Sequence, residues 1–117
     1  MQPPQALERV AVEDFFNIDI RVGTVLRAEP FPEARNPSYK LWIDFGELGV
    51  RQSSAQITQL YAPEELAGRQ VVAVVNFPPR RIAGFKSEVL VLGAATEAGH
   101  ITLLAPDAYA PDGARIN

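Results

Sequence analysis

Residues 70–93, QVVAVVNFPPRRIAGFKSEVLVLG, constrain the fold more than any other stretch of the chain. Two short apolar runs, 71–75 and 89–92, bracket a connection of opposite character. The runs are rich in β-branched residues and bounded by turn formers, so they read as buried strands. The connection carries Pro78-Pro79, Arg80-Arg81, Gly84, Phe85 and Lys86. A stiff diproline with clustered cations belongs on a surface. Rigid strands that present such a loop are a common way to build a binding site.

The rest of the chain reads as a support for that loop. Ile18, Ile20, Val22 and Thr24 alternate with Asp19, Arg21 and Gly23, the period of a half-buried strand. The apolar phase shifts at Val25-Leu26, next to Gly23, which predicts a β-bulge that bends one long strand between two barrel faces. Pro30, Pro32 and Pro37 then impose a long loop. Residues 41–45 and 49–54 form a hairpin. Pro63-Glu64-Glu65-Leu66 opens a short helical turn, with proline at its first position and acids at its N-terminus. Gly68 ends it. Residues 101–104 make another strand, and 106–117 form a loop-like tail turning at Asp112-Gly113. Residues 12–16 suit a short helix that caps the barrel, with Phe15 and Phe16 as a plug for its core. Residues 1–11, with Pro3-Pro4, read as an N-terminal arm ahead of a domain over 12–117. The pattern is all-β: a five-stranded, partly open barrel of the oligonucleotide/oligosaccharide-binding (OB) type, with short helices and terminal extensions. A sandwich of two small sheets is the competitor.

Composition narrows the chemistry. The chain has no cysteine, which removes disulfides, thiolate catalysis and cysteine metal sites. Its single histidine, His100, follows a glycine turn and has no partner in sequence for metal or base chemistry. Ser53, Ser54 and Ser87 supply hydroxyls, but no G-x-S-x-G turn surrounds them. The reading is a binding protein without a cofactor. The net charge is −3, so any contact with a polyanion must come from a local patch. No apolar run approaches the roughly 20 residues of a membrane helix. Residues 1–16 lack the pattern of a secretory signal, so the expected location is cytoplasmic with no membrane insertion.

The loop 76–87 admits more than one use. Its cations and Phe85 suit phosphates and a stacked base. Phe77, Ile82 and Phe85 equally suit an apolar groove for extended peptide, with cations at its rim. The plainest alternative makes Arg80 and Arg81 solvated charges and Phe85 a core residue. Asp19, Arg21, Arg27, Glu29 and Lys40 read as cross-strand surface charges, and Trp42 as core.

Asp19-Ile20-Arg21-Val22-Gly23, Tyr61 with Glu64-Glu65-Leu66, residues 72–76, and Pro79-Arg80 with Gly84 resemble the tRNA-binding domain family over residues 12–117. The resemblance implies an OB fold, and a homodimer as in the free-standing bacterial members. Residues 30–35 (PFPEAR), 41–46 (LWIDFG), 51–58 (RQSSAQIT) and 74–93 look like a branch of that family made of small bacterial chaperones with export-related activity. That likeness implies binding of unfolded or preprotein polypeptides and contact with the export ATPase SecA. The peptide- or tRNA-binding residues it points to are Asn76, Phe77, Arg80, Arg81, Ile82, Phe85, Lys86 and Ser87, with Ser53 and Ser54. The tRNA-binding members typically continue with Ser-x-Gly-Met, whereas this chain has Ser87-Glu88-Val89-Leu90. An added acid weakens a phosphate site, which moves the reading from tRNA towards polypeptide. A tRNA-binding accessory protein is the alternative.

Overall fold

The structure, a computed structural model, describes residues 6–117. Residues 1–5 of the expected arm lie outside the described residues, and residues 6–11 are exposed without regular structure. The elements run in the order α1 (Val12–Phe16), β1 (Ile20–Pro30), β2 (Tyr39–Asp44), a 3₁₀ turn (Gly46–Leu48), β3 (Val50–Ala55), α2 (Pro63–Leu66) and β4 (Gln70–Val74), then β5 (Arg80–Ile82), β6 (Phe85–Ser87), β7 (Leu90–Val91), β8 (Gly93–Ala95) and β9 (Ile101–Leu103).

Five of the strands form one antiparallel sheet in the order β3-β2-β1-β4-β7. β1 is long enough to serve both halves. Its first half, Ile20 to Thr24, pairs with β4, and its second half, to Pro30, pairs with β2. The register slips between Val25 and Arg27, so Leu26 is the extra residue of a bulge. The bend thus falls where the apolar phase changes. Gly23 has a different task. A Cβ there would stand 2.6 Å from the Ile43 side chain and 2.8 Å from the Phe45 ring. Only glycine lets the bent strand close onto those two core residues.

The sheet closes into a barrel through a seam between β3 and residues 86–89. Glu88 N–H donates to Gln52 O at 2.8 Å, and the Glu88 carboxylate accepts the Gln52 N–H at 3.1 Å. The Gln52 amide donates to Lys86 O at 2.9 Å. Ser54 N–H donates to the Ser87 hydroxyl at 3.0 Å, and the Ser53 hydroxyl lies 3.0 Å from Val89 O. Strand edges that would otherwise be open are satisfied by this mix of backbone and side-chain bonds. The result is an OB fold, with α2 between β3 and β4.

The core cluster includes Val25, Leu41, Ile43, Phe45, Ile57, Leu66, Val71, Ala73, Val75 and Val89. Val72 and Val74 point to the opposite face of β4 and are buried too. Cover on both faces is why 71–75 shows no alternation. One terminal segment differs from expectation. α1 forms as read, but none of its residues is buried, and Phe15 and Phe16 are 36% and 48% exposed. They do not plug the core, which Phe45, Leu41, Ile43 and Leu66 fill at zero exposure; the two rings instead meet edge-on at 5.2 Å. The tail is loop-like as expected, with its turn at Asp112-Gly113, and it is anchored to β1. Ala114 O accepts Val22 N–H at 2.9 Å, and Gly113 and Ile116 N–H donate to Val22 and Ile20 O. It runs along the edge of β1 that β4 leaves free.

Candidate functional site: a groove beside the β5–β6 hairpin

Residues 80–87 fold into a two-stranded hairpin separate from the main sheet: Arg80 opposite Ser87, Arg81 opposite Lys86, Ile82 opposite Phe85. Its turn residues, Ala83 and Gly84, both have positive φ, at 47° and 81°. This is a type I′ turn, the kind whose twist suits a two-residue hairpin. Side chains alternate across the hairpin. Arg80, Ile82, Phe85 and Ser87 share the face turned to the barrel, and Arg81 and Lys86 take the other, where both are exposed.

The barrel-side face borders two features. On one flank lies an open groove of about 660 Å³ between the hairpin and the strands β7 and β8. Ile57, Val89 and Ala55 supply buried lining, and Phe77, Ile82, Leu90, Leu92 and Ile101 surround them. Leu90 is 48% exposed and Phe77 45%, so apolar surface faces solvent inside a concave site. Among the described residues, Arg80 is the one cation of its lining. The Glu88 carboxylate also borders it, but that group accepts a seam hydrogen bond.

On the other flank the Phe85 ring meets Phe31 edge-on at 5.4 Å and Trp42 at 6.0 Å. The Lys40 ammonium lies 4.8 Å from the Phe31 centroid and 5.3 Å from that of Phe85. The Arg27 guanidinium sits 4.0 Å over Trp42 and also pairs with Glu29 at 3.1 Å. Trp42 is therefore a half-buried residue of the outer face, not of the core. Its register partner Arg27 brings the cation over the ring.

The residues singled out from sequence divide accordingly. Ser54, Phe77, Arg80, Ile82 and Ser87 line the groove together. Phe85 faces the aromatic flank, and Arg81 and Lys86 lie on the outer face of the hairpin, with the Arg81 guanidinium 3.2 Å from Gly84 O. Ser53 is fully buried in the seam. Asn76 stands apart: its side-chain oxygen accepts Asp19 N–H at 2.9 Å, and its amide donates to Asn17 O at 3.0 Å. It fastens the segment after α1 to the end of β4. Sequence reasoning missed Leu90, Leu92, Ile57 and Ile101. Leu90 sits in an unbroken apolar run, which hides that Val89 faces the core and Leu90 the groove. The two-residue alternation of a strand is the signal that separates them.

Ionisable groups with shifted affinities lie away from the groove. The Asp19 carboxyl is held below its ordinary value chiefly by the hydrogen bond from Arg21, at 2.6 Å, against an opposing effect of burial, with the charges of Arg21 and Arg115 assisting. Arg115 also donates to Phe16 O at 2.8 Å, so this network ties the tail to the end of α1. Burial pushes the Tyr61 phenol up, but the Leu103 N–H, the Thr102 hydroxyl and Arg69 together outweigh it and leave the phenol below its usual range. Leu103 N–H donates to that oxygen at 2.9 Å, which pins β9 to the barrel. Among the described residues, no cluster of His, Cys, Asp or Glu has the arrangement of a metal site, and no helix is long and apolar enough to cross a membrane.

Residues 20–115 match the model of the tRNA binding domain family. The chain belongs to that family. It is similar to the chaperone CsaA of Bacillus anthracis, with 59% identity over 94% of this chain and 100% of that one, at a TM-score of 0.89. The CsaA chaperone protein of Picrophilus torridus shares 49% identity over 93% of this chain and 100% of its own, at a TM-score of 0.88. A methionine–tRNA ligase of Porphyromonas gingivalis is 41% identical over 109 residues, which are 93% of this chain but 16% of the ligase. The chain thus spans about a sixth of the curated relatives it matches, and both CsaA structures in full.

Proposed function

We propose that this chain is a molecular chaperone that captures unfolded or preprotein polypeptides in the groove beside the β5–β6 hairpin. The observation that carries the reading is the open apolar groove, with Phe77 and Leu90 exposed in it and Arg80 at its wall. Apolar side chains of an unfolded segment enter between Ile82 and Leu90, and Arg80 holds a carbonyl or carboxylate. This is binding without chemistry. The likeness to CsaA over the whole of its length supports a chaperone in preference to a ligase fragment.

The working form is a cytoplasmic homodimer of the domain 12–117, with residues 1–11 as an arm. Phe15, Phe16, Val12 and Ile18 offer an exposed apolar surface around α1 that a second copy can cover. Two grooves on one particle raise avidity for a long chain through effective concentration, so each contact can stay weak enough to release. In export, the particle passes its cargo to SecA.

One feature favours a second reading, a tRNA-binding accessory. Arg27, Lys40, Trp42 and Phe85 place cations and rings together on the outer face, a combination suited to nucleic acid. A side-by-side titration separates the two. The chain is mixed with total tRNA and with carboxyamidomethylated ribonuclease A, a permanently unfolded chain, at two salt concentrations. The chaperone reading expects binding of the unfolded chain that survives high salt. Binding of tRNA alone, falling steeply with salt, supports the accessory reading.

A further inference from the structure

Phe85 is the residue for which sequence offered a ligand contact or a place in the core, and its surroundings give it neither. It does not line the groove. Its ring is edge-on to Phe31 and Trp42, with Lys40 above both Phe31 and Phe85. The strand partner of Phe85 is Ile82, which does line the groove.

The anchoring of the hairpin is uneven. Its base is fixed by hydrogen bonds from Gln52 and Ser54 to Lys86 and Ser87. Its outer half, Arg81 to Phe85, has no such bond to the barrel among those of the described residues and pairs only within the hairpin. What seats that half is the Phe85 ring in the notch between Phe31 and Trp42. A side chain held by two edge contacts and a cation can leave and return at modest cost, unlike one packed in a core.

We infer that Phe85 is a positioning residue: seated between Phe31 and Trp42, it sets where Ile82 and Arg80 stand, and so sets the width of the polypeptide groove on the other flank. Filling the groove shifts the hairpin, and the shift reaches Trp42 through the Phe85 ring. Trp42 is the single tryptophan of the chain, so its emission reports on occupancy of a site it does not touch. This inference rests on the groove as the polypeptide site.

The experiment uses the full chain and carboxyamidomethylated ribonuclease A, which has no tryptophan. Affinity is read by anisotropy of a fluorescein-labelled sample, Trp42 emission with unlabelled sample, and folding by thermal melting. Phe85→Ala is expected to weaken binding about tenfold and to abolish the emission change. Phe85→Tyr, which keeps the ring edge, restores both. Where Phe85→Ala does not fold, Phe85→Leu replaces it, and the expected result is weakened binding with a silent Trp42. A folded Phe85→Ala or Phe85→Leu chain that binds as wild type overturns the inference. So does Trp42 emission that stays constant while the wild type saturates. Leu90→Arg separates the two readings. If it also binds as wild type, the groove is not the site. If it weakens binding while Phe85→Ala does not, the groove stands and only the role of Phe85 fails.

Discussion

The seam and the groove share Ser54, Ser87, Glu88 and Val89, yet they do opposite work. In the seam, Gln52 and Glu88 bond to each other, Ser54 N–H donates to the Ser87 hydroxyl, and the Ser53 hydroxyl lies 3.0 Å from Val89 O. In the groove, one step along the chain, Leu90 has no covering partner and Ser87 shares a wall with Phe77. The difference teaches that polarity alone does not mark the site in this fold. The polar residues are largely spent on closing the barrel, and the apolar ones that look like core are what remains available to bind.

Substitutions can break or sharpen that contrast. The largest effect is expected for the barrel itself. Phe45→Ala removes a fully buried ring that packs against Gly23 and should cost about 3–5 kcal/mol, read as a lower denaturant midpoint at unchanged slope. Ser53→Ala comes next. It leaves Val89 O without its hydroxyl partner at a fully buried position and should cost about 1–3 kcal/mol, although a serine-to-alanine change on a surface costs almost nothing. Leu90→Arg should do the reverse, leaving the melting temperature within about 3 degrees while weakening polypeptide binding by roughly tenfold or more, because it fills an exposed site without opening a cavity.

Smaller effects test the terminal network. Asp19→Asn should cost up to about 1 kcal/mol at neutral pH, since its pair with Arg21 is partly exposed. The sign follows from a carboxyl whose affinity for protons is lowered by folding. Its stabilisation is fully present above the ordinary value of 3.8 and fades as pH falls through the lower value of the folded chain. Stability curves of wild type and Asp19→Asn should therefore converge in strong acid. The smallest change expected is at the hairpin tip, where Ala83→Gly relieves a left-handed alanine and should raise stability by about 0.5–1 kcal/mol in chemical denaturation.

Much of the barrel was legible because its rules are local. The phase change at Val25-Leu26 marked the bulge, the diproline and Gly84 marked the excursion between strands, and Pro63-Glu64-Glu65-Leu66 marked α2. Resemblance to the tRNA-binding domain family pointed to the same fold. The candidate site was legible only in part. Arg80, Ile82 and Phe77 carried the mark of an exposed loop. Trp42 did not, because an aromatic in an apolar strand gives no sign of which face it takes until Arg27 is known to lie opposite it. The Ser87-Glu88-Val89-Leu90 string was informative in a way that composition could not show. All three border the groove, but Glu88 also closes the seam and Val89 is buried against the core, which leaves Leu90 as the one of the three with an exposed apolar side chain. α1 was legible as a helix and not as an uncovered one, since acids early and aromatics late describe a plug and an interface equally well.

The central claim is that unfolded polypeptide occupies the groove and not the outer aromatic face. Amide chemical-shift mapping of the chain titrated with carboxyamidomethylated ribonuclease A tests it most directly. The account expects the largest shifts at Ile57, Ile82, Leu90 and Leu92, with a smaller response at Trp42 carried through Phe85. Shifts confined to Arg27, Lys40 and Trp42, with the groove unmoved, would contradict it.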